Sequence, residues 1–223
     1  ALELTPDDAR LYLNRGLCWQ SLKEWAKAAA DAKAAVKLDC GNAKAHFHLT
    51  RSLVALGEVE AAAVALGNAP AELVESSKSL AEMKLSTIPE AAKKQANASF
   101  VAKDYEAALP LYTLAVDLTA GKAHLYLSNR SACYQALGKW AKAAEDGRAV
   151  VALEPSFPKG HLHLARSLKQ LERADAAVEA CEFGLEHVAD KDATALKELL
   201  ASLKPRGAAP KAPCATAKAL RDA

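Results

Sequence analysis

The chain has 223 residues, of which 51% are hydrophobic and only 5% aromatic, and a formal charge of +2. Many small and few bulky apolar side chains suit closely packed helices rather than a β-sandwich core. A near-neutral charge offers no basic face for nucleic acid, and no apolar run approaches the ~20 residues of a membrane span.

In chain order, residues 1–5 read as the end of a truncated repeat, followed by Pro6. The first residue is Ala1 rather than Met, so a fragment or processed product is expected. Helix-turn-helix units follow at about 8–41 and 42–69, with turns at Lys23-Glu24 and Gly57-Glu58; Pro70 cuts the second of these short. Ala71 to Lys84 reads as a connecting helix closed by Ile88-Pro89. Three more units span about 90–121, 122–156 and 157–188, with turns at Lys103-Asp104, Gly138-Lys139 and Glu172-Arg173. Pro110 is placed in the first turns of its helix, and Pro155 closes a unit. An apolar stripe at Ala193, Leu196, Leu199, Leu200 and Leu203 suits a capping helix. The basic Ala/Pro/Lys tail from Lys204 reads as disordered. The expected organisation is a truncated module over 1–70, a helical linker over 71–89, a three-repeat module with cap over 90–203, and the tail 204–223.

The strongest internal signal is a duplication. Shifted by 115 positions, residues 10–56 match 125–171 at 22 of 47 positions without a gap. Asn14-Arg15 falls on Asn129-Arg130 and Cys18 on Cys133. Trp25 through Ala29 falls on Trp140 through Ala144. Lys44, His46, His48, Arg51 and Ser52 fall on Lys159, His161, His163, Arg166 and Ser167. Within each module a shorter period of about 34 residues recurs, as in Leu22-x-x-Trp25-x-x-Ala28 and Leu137-x-x-Trp140-x-x-Ala143. Alanines after each turn let paired helices approach. Leu22, Trp25, Leu38, Leu137, Trp140 and Leu153 are expected to fill the space between them. Five dispersed cysteines, with no CxxC pair, read as free thiols of a reducing compartment, with Cys18 and Cys133 as small core residues.

This period and these positions resemble tetratricopeptide-repeat proteins over about 1–187, departing at Cys40, Ala120 and Pro70. The resemblance implies an all-α, right-handed superhelical solenoid in two modules joined by the helical linker, with the first helix of each unit lining a concave groove. Lys93 and Asn97, four apart, share a helix face, as do Lys159 and His163 with Arg166 one turn on; Asn129 takes the equivalent place in the intervening unit. Cations with asparagine amides suit an acidic peptide, a free C-terminal carboxylate being one option. Lys93 to Asn97 with Phe100 and Lys103 to Ala107, Asn129 to Tyr134, and Phe157 to His161 are similar to carboxylate-clamp domains of chaperone-organising co-chaperones. Those domains bind chaperone tails ending Glu-Glu-Val-Asp. That resemblance implies a clamp of Lys93, Asn97, Asn129, Lys159 and His163, the last standing where the family has arginine, with Arg166 as a partial substitute. The first module offers Asn14, Lys44, His48 and Arg51.

The implied protein is a cytoplasmic co-chaperone or adaptor with a protein partner. It needs no cofactor and is no enzyme, since the chain has no nucleophile, phosphate-loop or zinc motif. His46/His48 and His161/His163 point about 200° apart on a helix and cannot chelate together. Trp25 and Trp140 read as turn-packing residues. The rival reading is a structural scaffold subunit of a large assembly.

Overall fold

Five single residues in left-handed backbone conformation punctuate the chain: Lys23 (φ 59°), Gly57 (80°), Lys103 (62°), Gly138 (69°) and Glu172 (59°). Each ends one helix and starts another by the same pair of bonds. After Gly138, for example, the Lys139 N–H reaches back to the Tyr134 carbonyl at 2.8 Å, and the Gly138 N–H reaches Gln135 at 3.1 Å. This is the Schellman pattern, which satisfies orphan carbonyls at a helix end. The computed structural model describes residues 5, 7–119, 123–189 and 192–203. The readings of residues 1–4 and Pro6, of Ala120, and of the tail with Cys214 lie outside them.

Among the described residues every regular element is helical. The helices are α1 (Ala9–Ser21), α2 (Trp25–Leu38), α3 (Ala43–Leu56), α4 (Val59–Gly67), α5 (Ala71–Ser76), α6 (Lys78–Glu82), α7 (Ile88–Val101), α8 (Tyr105–Leu118), α9 (Ala123–Ala136), α10 (Trp140–Leu153), α11 (Pro158–Gln170), α12 (Ala174–His187) and α13 (Thr194–Leu203). Pro110 falls in the second turn of α8, which runs on past it. The chain divides into two compact units, Ala1–Ala98 with Asp117–Thr119, and Ser99–Val116 with Ala120–Ala223.

In the first unit α1 packs on α2, α2 on α3 and α3 on α4. Small residues make the contacts: Ala28, Ala35, Ala45 and Ala62 have no exposure at all. Backbones that meet through alanines leave no room for larger groups at the ends of the helices. Leu22 and Leu38, expected between the helices, are therefore 66% and 42% exposed, and Leu153 of the second unit is 53% exposed. Cys18 also departs from expectation. It is exposed, whereas Cys133 is buried beside Tyr112 of α8; no described helix precedes α1 to cover Cys18.

The connecting segment differs from the single helix expected over Ala71–Lys84. Two short helices, α5 and α6, lead into a π turn (Met83–Thr87) that continues directly into α7. The Ile88 N–H bonds to the Met83 carbonyl five residues back. Pro89 follows; it has no N–H, and its ring would press on the Leu85 carbonyl of a tight α turn. Widening the preceding turn relieves that pressure, so the helix passes through Ile88-Pro89 instead of stopping there.

In the second unit α9 packs on α10, α10 on α11 and α11 on α12. The core holds Ala144, Val151, Leu164, Ala165, Leu168, Ala177, Ala180 and Cys181, and α13 covers it with Leu196 and the partly buried Leu199, Leu200 and Leu203. The duplicated modules solve one packing problem in two ways. Where the first unit sets Ala35 against Ala45, the second has Val150 and Gly160. A Cβ on Gly160 would lie 2.5 Å from Val150 Cγ1. Gly160→Ala is therefore expected to cost about 1–3 kcal/mol by overpacking. Adding Val150→Ala should restore most of that loss. Urea unfolding of the two single variants and the double variant measures the coupling; additive losses would refute the volume exchange.

Candidate functional site

Helix α11 begins with Pro158 at its first position, where a missing N–H costs nothing. It carries Lys159, His163 and Arg166 at spacings of four and three, on one face. Lys159 and Arg166 are exposed and His163 is partly buried. Asn129 sits on the neighbouring α9, with its amide hydrogen-bonded to the Tyr112 hydroxyl. The second unit therefore holds four of the six groove residues expected from the C-terminal half. Lys93 and Asn97 are on α7, in the first unit. The Lys93 ammonium pairs with Glu90 one turn earlier at 3.2 Å, an exposed pair worth about 0–1 kcal/mol that a ligand can displace. The first unit repeats the arrangement with Asn14 on α1 and Lys44, His48 and Arg51 on α3.

The charge of His163 is set by its surroundings. His163 Nδ1 lies 3.1 Å from Gln135 Oε1, while Gln135 Nε2 donates to the His163 carbonyl and to Ser167 Oγ, both at 2.8 Å. Burial first, then Arg166 and Lys159, hold the His163 pKa down at about 4. The side chain is neutral at pH 6.0 as well as at pH 7.5, so it supplies no cation to a carboxylate. His48 is held the same way by Gln20 and Ser52, its pKa lowered by burial, Arg51 and Lys44.

Three further features escape a residue-by-residue reading. Arg130 forks onto Asp146 at 2.9 and 2.7 Å and also donates to Thr113, tying α9 to α10 and α8; Arg15 and Asp31 form the same pair at 2.8 and 2.6 Å. Buried His161 donates Nε2–H to the Pro155 carbonyl at 2.7 Å, and His46 donates to Cys40 at 3.0 Å, each pinning the loop between repeats. Beside the α11 face lies an open recess of about 490 Å³ whose walls include Gln135, Trp140, Arg166, Lys169 and Leu199. Trp140 thus borders the site as well as packing at its turn. The side-chain partners of the histidine and arginine pairs are identical between the modules (Gln20/Gln135, Asp31/Asp146, Ser52/Ser167), which was the available signal. Among the described residues no cluster of His, Cys, Asp and Glu could hold a metal, and no helix is long and apolar enough to cross a membrane.

No protein-family model matches the chain. Over 109 residues, 43% of the chain, it is 37% identical to the heat shock protein STI1 of Saccharomyces cerevisiae, a match spanning 18% of that protein. Over 112 residues, 50% of the chain, it is 33% identical to the heat-shock protein cognate co-chaperone sgt12 of Aspergillus fumigatus, spanning 33% of it. The Sgt2 TPR domain crystal structure from Aspergillus fumigatus aligns over 59% of this chain and 91% of that domain, at 31% identity and a TM-score of 0.49. The matches thus span a third or less of the length of the two curated relatives.

Proposed function

We propose that this tetratricopeptide-repeat chain, similar to the repeat domains of heat-shock co-chaperones, is a non-enzymatic cytoplasmic adaptor that holds the acidic C-terminal peptide of a heat-shock chaperone. The observation that carries the reading is the α11 face. Lys159 and Arg166 stand exposed on either side of His163, and neither forms an ion pair among the described residues. Unneutralised cations at helical spacing attract carboxylates and form charge-assisted hydrogen bonds with them. Asn129, on the neighbouring helix of the same unit, is assigned to the same ligand, and Asn14, Lys44, His48 and Arg51 to an equivalent role in the first unit.

Fluorescence polarisation of the whole chain with a labelled Glu-Glu-Val-Asp peptide tests the reading. Lys159→Ala is expected to weaken binding by about 1.5–3 kcal/mol, the scale of a hydrogen bond to a charged group. Affinity should be the same at pH 6.0 and pH 7.5, because His163 is neutral at both. An unchanged affinity in Lys159→Ala would remove the assignment. The neutral histidine also favours a second reading, a scaffold subunit of a large assembly without tail binding. Stoichiometric retention in one complex, with no chaperone recovered, is its expected signature.

A further inference from the structure

The hydrogen bonds around His163 fix which of its nitrogens carries the proton, and so what the site asks of a ligand. Ser167 gives its hydroxyl proton to the His163 carbonyl at 2.7 Å. The same carbonyl and the Ser167 oxygen both take a bond from one end of the Gln135 amide, at 2.8 Å each. A carbonyl only accepts, so that end is the NH₂. The opposite end, 3.1 Å from His163 Nδ1, is therefore the Gln135 oxygen. That oxygen also only accepts, so Nδ1 carries the hydrogen. A neutral ring protonated at Nδ1 leaves a bare lone pair on Nε2.

Nε2 has no hydrogen-bond partner among the described residues, and it is not one of the buried, unsatisfied polar atoms. Nε2 therefore keeps some surface that a ligand can reach, on the partly buried side chain of the helix that carries Lys159 and Arg166. Burial and the two flanking cations oppose adding a second proton. The first unit repeats the device. Gln20 Nε2 lies 3.1 Å from the His48 carbonyl and 2.9 Å from Ser52 Oγ, Ser52 donates to that carbonyl at 2.8 Å, and His48 Nδ1 faces Gln20 Oε1 at 3.1 Å. More than half of the 47 paired positions differ between the modules, yet all three members of this network are the same in both.

A carboxylate placed against Nε2 sets lone pair against lone pair; an N–H or O–H placed there forms a hydrogen bond. We propose that the α11 face, taken as the peptide-holding face described above, binds an acidic peptide in a split mode. Carboxylates meet Lys159 and Arg166, and a hydrogen-bond donor, from an amide or hydroxyl group of the ligand, meets His163 Nε2. The preferred ligand is thus an acidic peptide interrupted by Asn, Gln, Ser or Thr, or ending in a carboxamide, rather than an unbroken run of carboxylates.

An amide scan of the ligand tests this. Each carboxylate of the Glu-Glu-Val-Asp peptide, the C-terminal one included, is replaced in turn by its carboxamide, and affinities for the whole chain are measured by fluorescence polarisation. One replacement is expected to tighten binding about 2–10-fold, the value of one neutral hydrogen bond, while the others weaken it. In His163→Arg that same replacement should instead weaken binding about 10-fold or more, since arginine offers only donors. Losses at every position in the wild-type chain would overturn the split mode while leaving acidic-peptide binding intact. Absence of binding to the parent peptide and to every carboxamide variant would overturn both. Should His163→Arg not fold, long-range ¹⁵N–¹H correlations of the wild-type histidines decide. A neutral ring protonated at Nδ1, free and bound, is the expected result; an imidazolium in the complex, or a proton on Nε2, would refute the proposal.

Discussion

Arg130→Ala is expected to destabilise the second unit by about 3–5 kcal/mol, the cost of leaving a buried charge without its partner. Only 7% of the Asp146 side chain is exposed, and 17% of Arg130. Removing the guanidinium strips both carboxylate oxygens of their donors and leaves Thr113 Oγ1 without Arg130. Arg15→Ala should cost less. Asp31 is equally buried, but Arg15 is 48% exposed, so water already screens that pair and can replace it. Hydrogen exchange of the α9 and α10 amides, with urea unfolding, reads the difference. Replacing both charges, as in Arg130→Met with Asp146→Leu, should recover most of the loss, because two apolar groups need no partner. A loss below about 1 kcal/mol in Arg130→Ala would show that water reaches Asp146 freely.

Acid is expected to unfold the chain earlier than its carboxylates alone would require. The pKa of His163 is lowered to about 4 in the fold, against about 6.5 for an unperturbed imidazole. The unfolded chain then binds a proton that the folded chain refuses, and stability falls wherever that is so. The contribution is complete above pH 6.5 and is lost progressively as the pH drops towards 4. It totals about 3 kcal/mol at 1.36 kcal/mol per unit. His48 and His161 shift in the same direction, chiefly by burial, and add to the slope. Unfolding midpoints measured between pH 7.5 and pH 4 should fall steeply for the wild-type chain. They should fall less for His163→Gln, which cannot titrate. Parallel profiles would mean that His163 is hydrated in the fold.

How much of this was legible in sequence can be judged at particular residues. Lys23, Lys103 and Glu172 are poor candidates for left-handed turns taken singly, since side chains disfavour that conformation. They were placed because the repeat puts them in register with Gly57 and Gly138, where glycine fits. The alanines of the helix contacts were found the same way. Leu22, Leu38 and Leu153 were misjudged because hydrophobicity marks a residue as able to be buried, while neighbouring helices decide whether it is. The same holds for Cys18 and Cys133, which occupy one repeat position in two surroundings.

The sequence by itself determined the repeat and its turns and named the candidate groove residues, because these depend on periodicity along a single chain: about 3.6 residues per helical turn and about 34 per unit. Only the tertiary structure decided their chemical state. The charge and tautomer of His163 rest on Gln135, 28 residues earlier, and on Ser167. The burial of Asp146 rests on Arg130, 16 residues before it. Protonation and ion pairing follow from local dielectric and from partners brought together through space. A one-dimensional pattern names such partners without showing that they meet.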